Sequence, residues 1–93
     1  MTLLDLIKQA SKSKPITRQQ IAFRLGISDR IARKRIEALR ETGERICSGP
    51  ATKRGYYYAK TEEEYQEFRK RYILSALRIM HIIEQMDKGG EQA

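Results

Sequence analysis

Arginine and lysine are concentrated between residues 30 and 40, at the spacing of one face of a helix predicted from about Asp29 to Thr42, with Gly43 as its stop. Its cationic side carries Arg30, Arg33, Lys34, Glu37 and Arg40, and its apolar side carries Ile31, Ala32, Ile36 and Leu39. A guanidinium group binds O6 and N7 of guanine together, and each such pair contributes about 1 to 3 kcal/mol of base discrimination. The pattern predicts nucleic-acid recognition; the alternative is an ordinary solvated helix surface.

A turn and a second helix are predicted immediately before this segment. Thr17 and Gln20 have the spacing of a capping box, so the preceding helix is predicted to begin at Arg18. Gly26 supplies the left-handed residue that ends this helix, and Ser28 is suited to cap the next one. Two helices joined by a short turn that contains glycine are typical of the DNA-binding helix-turn-helix.

A short hairpin is predicted after the basic helix. Arg45–Ser48 and Tyr56–Tyr58 are strand candidates, and the residues between them have turn chemistry. Lys53 and Arg54 lie at the predicted tip, where they are suited to phosphate contacts.

The tyrosines of the second strand divide between two faces. Tyr56 and Tyr58 share one face, and Tyr57 has the other. We expect Tyr56 or Tyr58 to pack inward, and we assign to Tyr57 a phosphate contact through its hydroxyl.

This order of elements resembles a winged helix-turn-helix domain. It is similar to the amino-terminal domain of biotin operon repressors and to small winged-helix proteins of bacteria and phages. The resemblance covers roughly residues 3–60. It departs from the family pattern at Ala32, where many relatives have a larger aliphatic residue. The sequence therefore does not determine how the basic helix is rotated about its axis. The residues that carry the resemblance are Ile21, Ala22, Leu25-Gly26-Ile27-Ser28, Ile36-Glu37-Ala38-Leu39, Gly43, Ile46 and Tyr56-Tyr57-Tyr58.

The resemblance implies double-stranded DNA as the partner, with the basic helix in the major groove and the hairpin, or wing, on the backbone or in the minor groove. Arg30 and Arg33 are assigned to bases, and the remaining cations to phosphates. The start of the first motif helix is expected to contact the backbone through its amides and dipole. The predicted DNA-binding residues are Thr17, Arg18, Ser28, Asp29, Arg30, Arg33, Lys34, Arg40, Lys53, Arg54 and Tyr57.

Composition agrees with a polyanionic partner. The chain has 93 residues and a formal net charge of +7, enough for one small basic domain. It contains neither a long apolar run nor a secretion signal, so we expect a cytoplasmic protein, associated with the nucleoid of a bacterial or phage-infected cell when bound to DNA.

Residues with catalytic or metal-binding chemistry are few. Cys47 stands alone, which excludes an internal disulfide and a cysteine-based zinc site, and a small apolar core residue is its expected role. His81 has no plausible nucleophile beside it, and Glu62–Glu64 are best explained as the first turn of a helix. We therefore predict no enzyme, no metal and no cofactor.

Helices are predicted at both ends of the chain. Thr2 is suited to cap a first helix whose apolar stripe is Leu3, Leu4, Ile7 and Ala10. Thr61 and Glu64 have the spacing of a capping box for a last helix that runs to about Asp87, roughly 40 Å at 1.5 Å per residue. The predicted fold is thus mainly α with a small β-hairpin, a winged helix-turn-helix followed by a long carboxyl-terminal helix.

The distal half of the last helix is more apolar than a domain of this size can bury. We expect a homodimer; the alternatives are that the helix folds back on its own domain or binds another protein. A dimer implies a palindromic DNA site, whereas a protein partner implies an interaction module on a winged-helix scaffold. The predicted division is residues 1–60 as the DNA-binding domain, 61–87 as the docking helix and 88–93 as a flexible tail. The predicted interface comprises Tyr72, Ile73, Ala76, Leu77, Ile79, Met80, Ile83 and Met86.

Overall fold

The structure is a computed structural model that describes residues 1–92, and the side chains of residues 1–90. The predicted architecture, helices with one small hairpin and a long last helix, is confirmed. The elements follow in the order α1 (Leu3–Gln9), α2 (Arg18–Leu25), α3 (Asp29–Glu41), β1 (Ile46–Ser48), β2 (Tyr56–Tyr58) and α4 (Glu62–Gln92). Within residues 1–92, none of the helices has the length and apolar character that a membrane span requires.

The predicted capping residues determine where α2 begins and ends and where α3 begins. The Thr17 hydroxyl accepts a hydrogen bond from the Gln20 amide at 3.1 Å, and the Gln20 side chain accepts one from the Thr17 amide at 2.9 Å. Gly26 ends α2 in the left-handed region at φ 64°, where a residue without Cβ is unstrained. The Ser28 hydroxyl then accepts a hydrogen bond from the Ile31 amide at 3.1 Å, and α3 begins.

The hairpin is antiparallel and is extended by one further segment. Its register pairs Ile46 with Tyr58, Cys47 with Tyr57, and Ser48 with Tyr56. The chain just before α2 adds a bridge, in which the amides and carbonyls of Ile16 and Tyr56 exchange hydrogen bonds of 2.9 and 2.7 Å. The base of the wing is therefore fastened to the start of α2.

Each face of the hairpin contacts a separate apolar cluster. The inner face contacts the helix-turn-helix core, formed by Leu3, Ile7, Ile21, Ala32, Ile36 and Ile46 with Tyr56 and Tyr58 at its edge. The outer face contacts a second cluster, formed by Ala10, Cys47, Tyr57 and Phe68. Phe68 belongs to α4, so the first turns of that helix close the outer face.

This second cluster corrects the prediction for Tyr57. Its side chain is 1% exposed, and its hydroxyl is buried without a hydrogen-bond partner in the described part of the chain, so it does not contact phosphate. Tyr56 and Tyr58 are only half-buried. The prediction was wrong because it left the outer face of the hairpin to solvent, whereas α4 covers it. Burial raises the pKa of Tyr57, and it raises that of the Cys47 thiol beside it.

The last helix departs from the prediction at both ends. Thr61 caps it by accepting from the Glu64 amide at 3.1 Å, but the Glu64 carboxylate accepts from the Lys60 amide at 3.0 Å instead of completing the box. The helix continues to Gln92, so its predicted end at about Asp87 is wrong. Two glycines in this segment cost only about 1 kcal/mol each relative to alanine, which does not force a helix to end. Ala93 lies outside the described residues.

Candidate nucleic-acid interface

The rotation of α3 determines which side chains it presents. Ala32 and Ile36 are buried against the core, whereas Ile31 is 42% exposed. The prediction that Ile31 belongs to the buried side is therefore wrong. The buried stripe of α3 is therefore centred on Ala32 and Ile36, and Ile31 lies outside it.

The outward face of α3 carries free positive charge. Arg30, Arg33 and Lys34 are exposed, and none has a carboxylate within 4.0 Å among the described residues. Glu37, on the same side of α3, forms no ion pair with Arg33 or Arg40 among the described residues. These cations are not neutralised by their own chain and can bind an external anion.

Ile31 is a candidate contact that the sequence did not reveal. It follows Arg30 and lies one turn before Lys34, at the edge of the exposed basic face, where an apolar side chain is suited to contact the methyl group of thymine. Ala32 was the feature of the sequence that could have predicted this exposure. When a small residue lies at the centre of the buried stripe, its larger neighbour Ile31 is placed toward the exposed side.

Two predicted site residues are joined to each other. Arg18, at the start of α2, donates a hydrogen bond through Nε to Oδ1 of Asp29, at the start of α3, at 2.7 Å. Both side chains remain partly exposed. The ion pair connects the two helix starts and offsets the negative charge of Asp29, which would otherwise repel phosphate.

The start of α2 and the wing together form a groove of about 380 Å³. The capping box occupies the amides of Thr17 and Gln20, and helix geometry leaves the next amides, of Arg18 and Gln19, without intrahelical acceptors. These donors and the helix dipole favour an anion at this end. The groove is lined by Thr17, Arg18, Gln19, Ser48, Gly49, Arg54, Gly55 and Tyr56.

Glycines hold the wing in this position. A Cβ on Gly49 would lie 2.0 Å from the Lys53 carbonyl oxygen, so the tip closes only around glycine. Gly55 has φ 138°, and a Cβ there would lie 2.8 Å from Cβ of Pro15. Lys53 and Arg54 are exposed between these two positions.

Replacing Gly55 by alanine is expected to destabilise the protein by more than about 1 kcal/mol, because alanine is strained at this φ and meets the chain before α2. Gly89→Ala is the matched control, since nothing lies within 4 Å of its Cβ and it is helical, so it should be neutral or stabilising. Urea unfolding followed by circular dichroism measures both. Equal stability of the two variants would show that the wing base tolerates a side chain.

Arg40 does not belong to the exposed basic face, which corrects its assignment to phosphate. Its Nε donates a hydrogen bond to the Ile46 carbonyl at 2.9 Å. Its guanidinium lies 5.1 Å from the ring centre of Phe68 and 5.4 Å from that of Tyr72, both on α4. The last turn of α3 is thus packed against the hairpin and α4, a position that a helical wheel of α3 alone does not reveal.

Two cations outside α3 and the wing are paired with acidic residues of α4. Lys12 pairs with Glu67, and Arg45 pairs with Glu62. The hydrogen bond from Lys12 lowers the pKa of Glu67, and hydrogen bonds from Gln66 and then Arg45 lower that of Glu62. Among the described residues, Arg30, Arg33 and Lys34 of α3 and Lys53 and Arg54 of the wing have no such ion pair.

The contacts bring together four of the predicted site residues, Thr17, Arg18, Asp29 and Arg54. The ion pair of Arg18 with Asp29 connects the starts of α2 and α3, and the groove connects the start of α2 to Arg54. Arg40 and Tyr57 are the predicted members that the structure removes. Within residues 1–92, no group of three or more histidine, cysteine, aspartate or glutamate side chains could hold a metal ion.

These elements define a winged helix-turn-helix domain. A family model described as an HTH domain matches residues 2–57, and the chain belongs to this family. Comparisons with curated proteins and with solved structures gave no match. Membership supports DNA binding, and the family match covers α1 to α3 and the hairpin but leaves α4 outside it.

Proposed function

We propose that this protein is a dimeric, sequence-specific DNA-binding regulator that binds the major groove with α3 and the backbone or minor groove with the wing. The observation that carries this proposal is the set of unpaired cations on α3, Arg30, Arg33 and Lys34, beside the anion-binding end of α2. A control protein of a bacterium or phage, or an accessory replication factor, acting on DNA in the cytoplasm, is the corresponding biological role.

The residues divide by chemistry. Arg30 and Arg33 are suited to guanine, and Ile31 to a thymine methyl group, because these groups differ among base pairs in the major groove. Lys34, together with Lys53 and Arg54 of the wing, is suited to phosphate. The amides at the start of α2, between Thr17 and Gln19, complete the phosphate contacts.

The long helix supplies the proposed dimer contact. Its large apolar side chains beyond Arg71 are exposed in the structure, so α4 does not fold back to cover them. Two DNA-binding domains joined by a symmetric contact bind a palindromic site.

The test is selection of bound sequences from random duplexes by the intact protein, followed by affinity measurements across a salt series. We expect a palindromic motif to be enriched. We also expect the double variant Lys53→Ala, Arg54→Ala to bind all sequences more weakly and to reduce the salt slope by about 0.9 for each phosphate that the wing no longer neutralises. DNA recognition by this surface would be contradicted if no sequence were enriched and if the wing substitutions left the salt dependence of the DNA affinity unchanged.

A protein-docking role is the second candidate function. Phe23 on α2 is 90% exposed and borders an apolar groove of about 670 Å³ against α1, away from the α3 cations. Together with α4, this groove gives the domain apolar surface that a DNA contact does not use. Retention of a cellular protein by the intact chain, abolished in Phe23→Ala and accompanied by no enrichment of DNA sequences, would favour this role.

A further inference from the structure

The distal half of α4 exposes many large apolar side chains. Nine of them are between 39% and 70% exposed among the described residues. They lie on several faces of the helix, and Tyr72, Ile79, Ile83 and Met86 share one face. The exposed set is Tyr72, Ile73, Leu74, Leu77, Ile79, Met80, Ile82, Ile83 and Met86.

One stripe on this part of α4 has the residue spacing of two helices that pack against each other. Tyr72, Ala76, Ile79, Ile83 and Met86 follow one another at intervals of four and three residues, and we name them the distal stripe. This is the repeat by which two helices pack side chains between each other over several turns. All five are exposed.

The charges at the two ends of the stripe are opposite. Arg69 continues the repeat at the amino-terminal end, and Asp87 follows Met86 at the other end. These two residues are 18 positions apart, which is five turns of a helix, so they lie on the same line along α4. Both are exposed, and neither has an ion-pair partner in the part of the chain that the structure describes.

We propose that α4 pairs with α4 of a second copy in the antiparallel direction, with Arg69 of each copy beside Asp87 of the other. This arrangement rests on the dimer of the proposed function and specifies its geometry. The register places Tyr72 opposite Ile83 and Ala76 opposite Ile79, so the small alanine faces a large side chain in each central layer. Parallel pairing would instead place Arg69 against Arg69 and Asp87 against Asp87, and like charges in register repel.

Antiparallel pairing separates the two DNA-binding domains. The dyad lies near residue 78, so each α4 begins about 24 Å from it and the two starts are about 48 Å apart at 1.5 Å per residue.

Disulfide crosslinking in the full-length protein tests the direction of pairing. We expect Arg69→Cys and Met86→Cys to crosslink when the two variants are mixed, because these positions face each other across an antiparallel pair. Met86→Cys alone should not crosslink, since its two copies would be about 24 Å apart, whereas a disulfide requires Cα atoms within about 7 Å. The unsubstituted protein is the control, because Cys47 is buried. Efficient crosslinking of Met86→Cys alone would establish parallel pairing and overturn the proposal.

A charge exchange tests the ion pair independently. Arg69→Asp and Asp87→Arg should each raise the dissociation constant of the dimer about tenfold, and the double variant should restore it. Sedimentation equilibrium measures all three. A monomeric unsubstituted protein would overturn the proposal, and if that monomer still enriches a DNA motif, DNA recognition stands without self-association. Failure of the double variant to recover would also overturn it.

Discussion

Arg30→Ala is expected to weaken binding to the selected DNA site by about 10- to 100-fold for each half-site, which corresponds to the 1 to 3 kcal/mol of a bidentate contact with guanine. Arg30 is exposed on the outward face of α3 and has no carboxylate partner in the described chain, so the substitution removes a contact without disturbing a structural one. The effect should be concentrated on the preferred base at one position of each half-site, and it is measured by equilibrium binding to matched and single-substitution duplexes.

Arg78→Ala is the matched control for this prediction. It removes the same charge from an exposed helical position on α4, away from the DNA-binding surface and outside the distal stripe. It should change affinity only slightly and equally for all duplexes. If Arg30→Ala behaves like Arg78→Ala while Arg33→Ala relaxes the base preference, Arg33 is the residue that contacts the base. If neither α3 variant differs from the control, α3 does not recognise sequence.

Tyr57→Ala is expected to cost about 3 to 5 kcal/mol of the free energy of unfolding, the range for deletion of a large aromatic side chain from a core. Tyr57 lies between the hairpin and Phe68 of α4, so its removal leaves a cavity where the two packed surfaces meet. For a small domain this is a large fraction of the total stability. Thermal and urea unfolding, followed by circular dichroism, measure the change.

Tyr57→Phe distinguishes the contribution of ring packing to stability from that of the hydroxyl group. The hydroxyl is buried without a hydrogen-bond partner in the described chain, so its removal should leave stability unchanged or increase it. DNA affinity should also be unchanged, because the side chain does not reach the surface. A selective decrease of DNA affinity in Tyr57→Phe, with the fold intact, would restore the phosphate contact that the structure contradicts.

Local signals in the sequence were sufficient for the elements of the motif. Thr17, Gln20, Gly26 and Ser28 act within a few residues of their own positions, so capping and turn chemistry predicted where α2 and α3 begin and where α2 ends. The exposure of distal α4 was also predictable, because its apolar content exceeds what a domain of this size can cover.

The errors arose where distant segments meet. Tyr57 and Arg40 look like surface residues when a single strand or helix is considered. The packing of α4 against the hairpin buries Tyr57 and holds the Arg40 guanidinium beside Phe68. Ile31 is a different case, because the buried stripe of α3 is centred on Ala32 and Ile36 and leaves Ile31 outside it. A helical wheel gives the arc of apolar residues but not the centre of the contact, which shape complementarity between two helices decides.

The position of Arg40 has a thermodynamic consequence. Its side chain originates in the last turn of the helix proposed to bind DNA, and its guanidinium contacts Tyr72, the first residue of the distal stripe. A second copy of the chain that packs on Tyr72 therefore also restrains α3. Because linkage between two binding events is reciprocal, DNA should strengthen self-association by the same factor by which self-association strengthens the affinity of each domain for DNA.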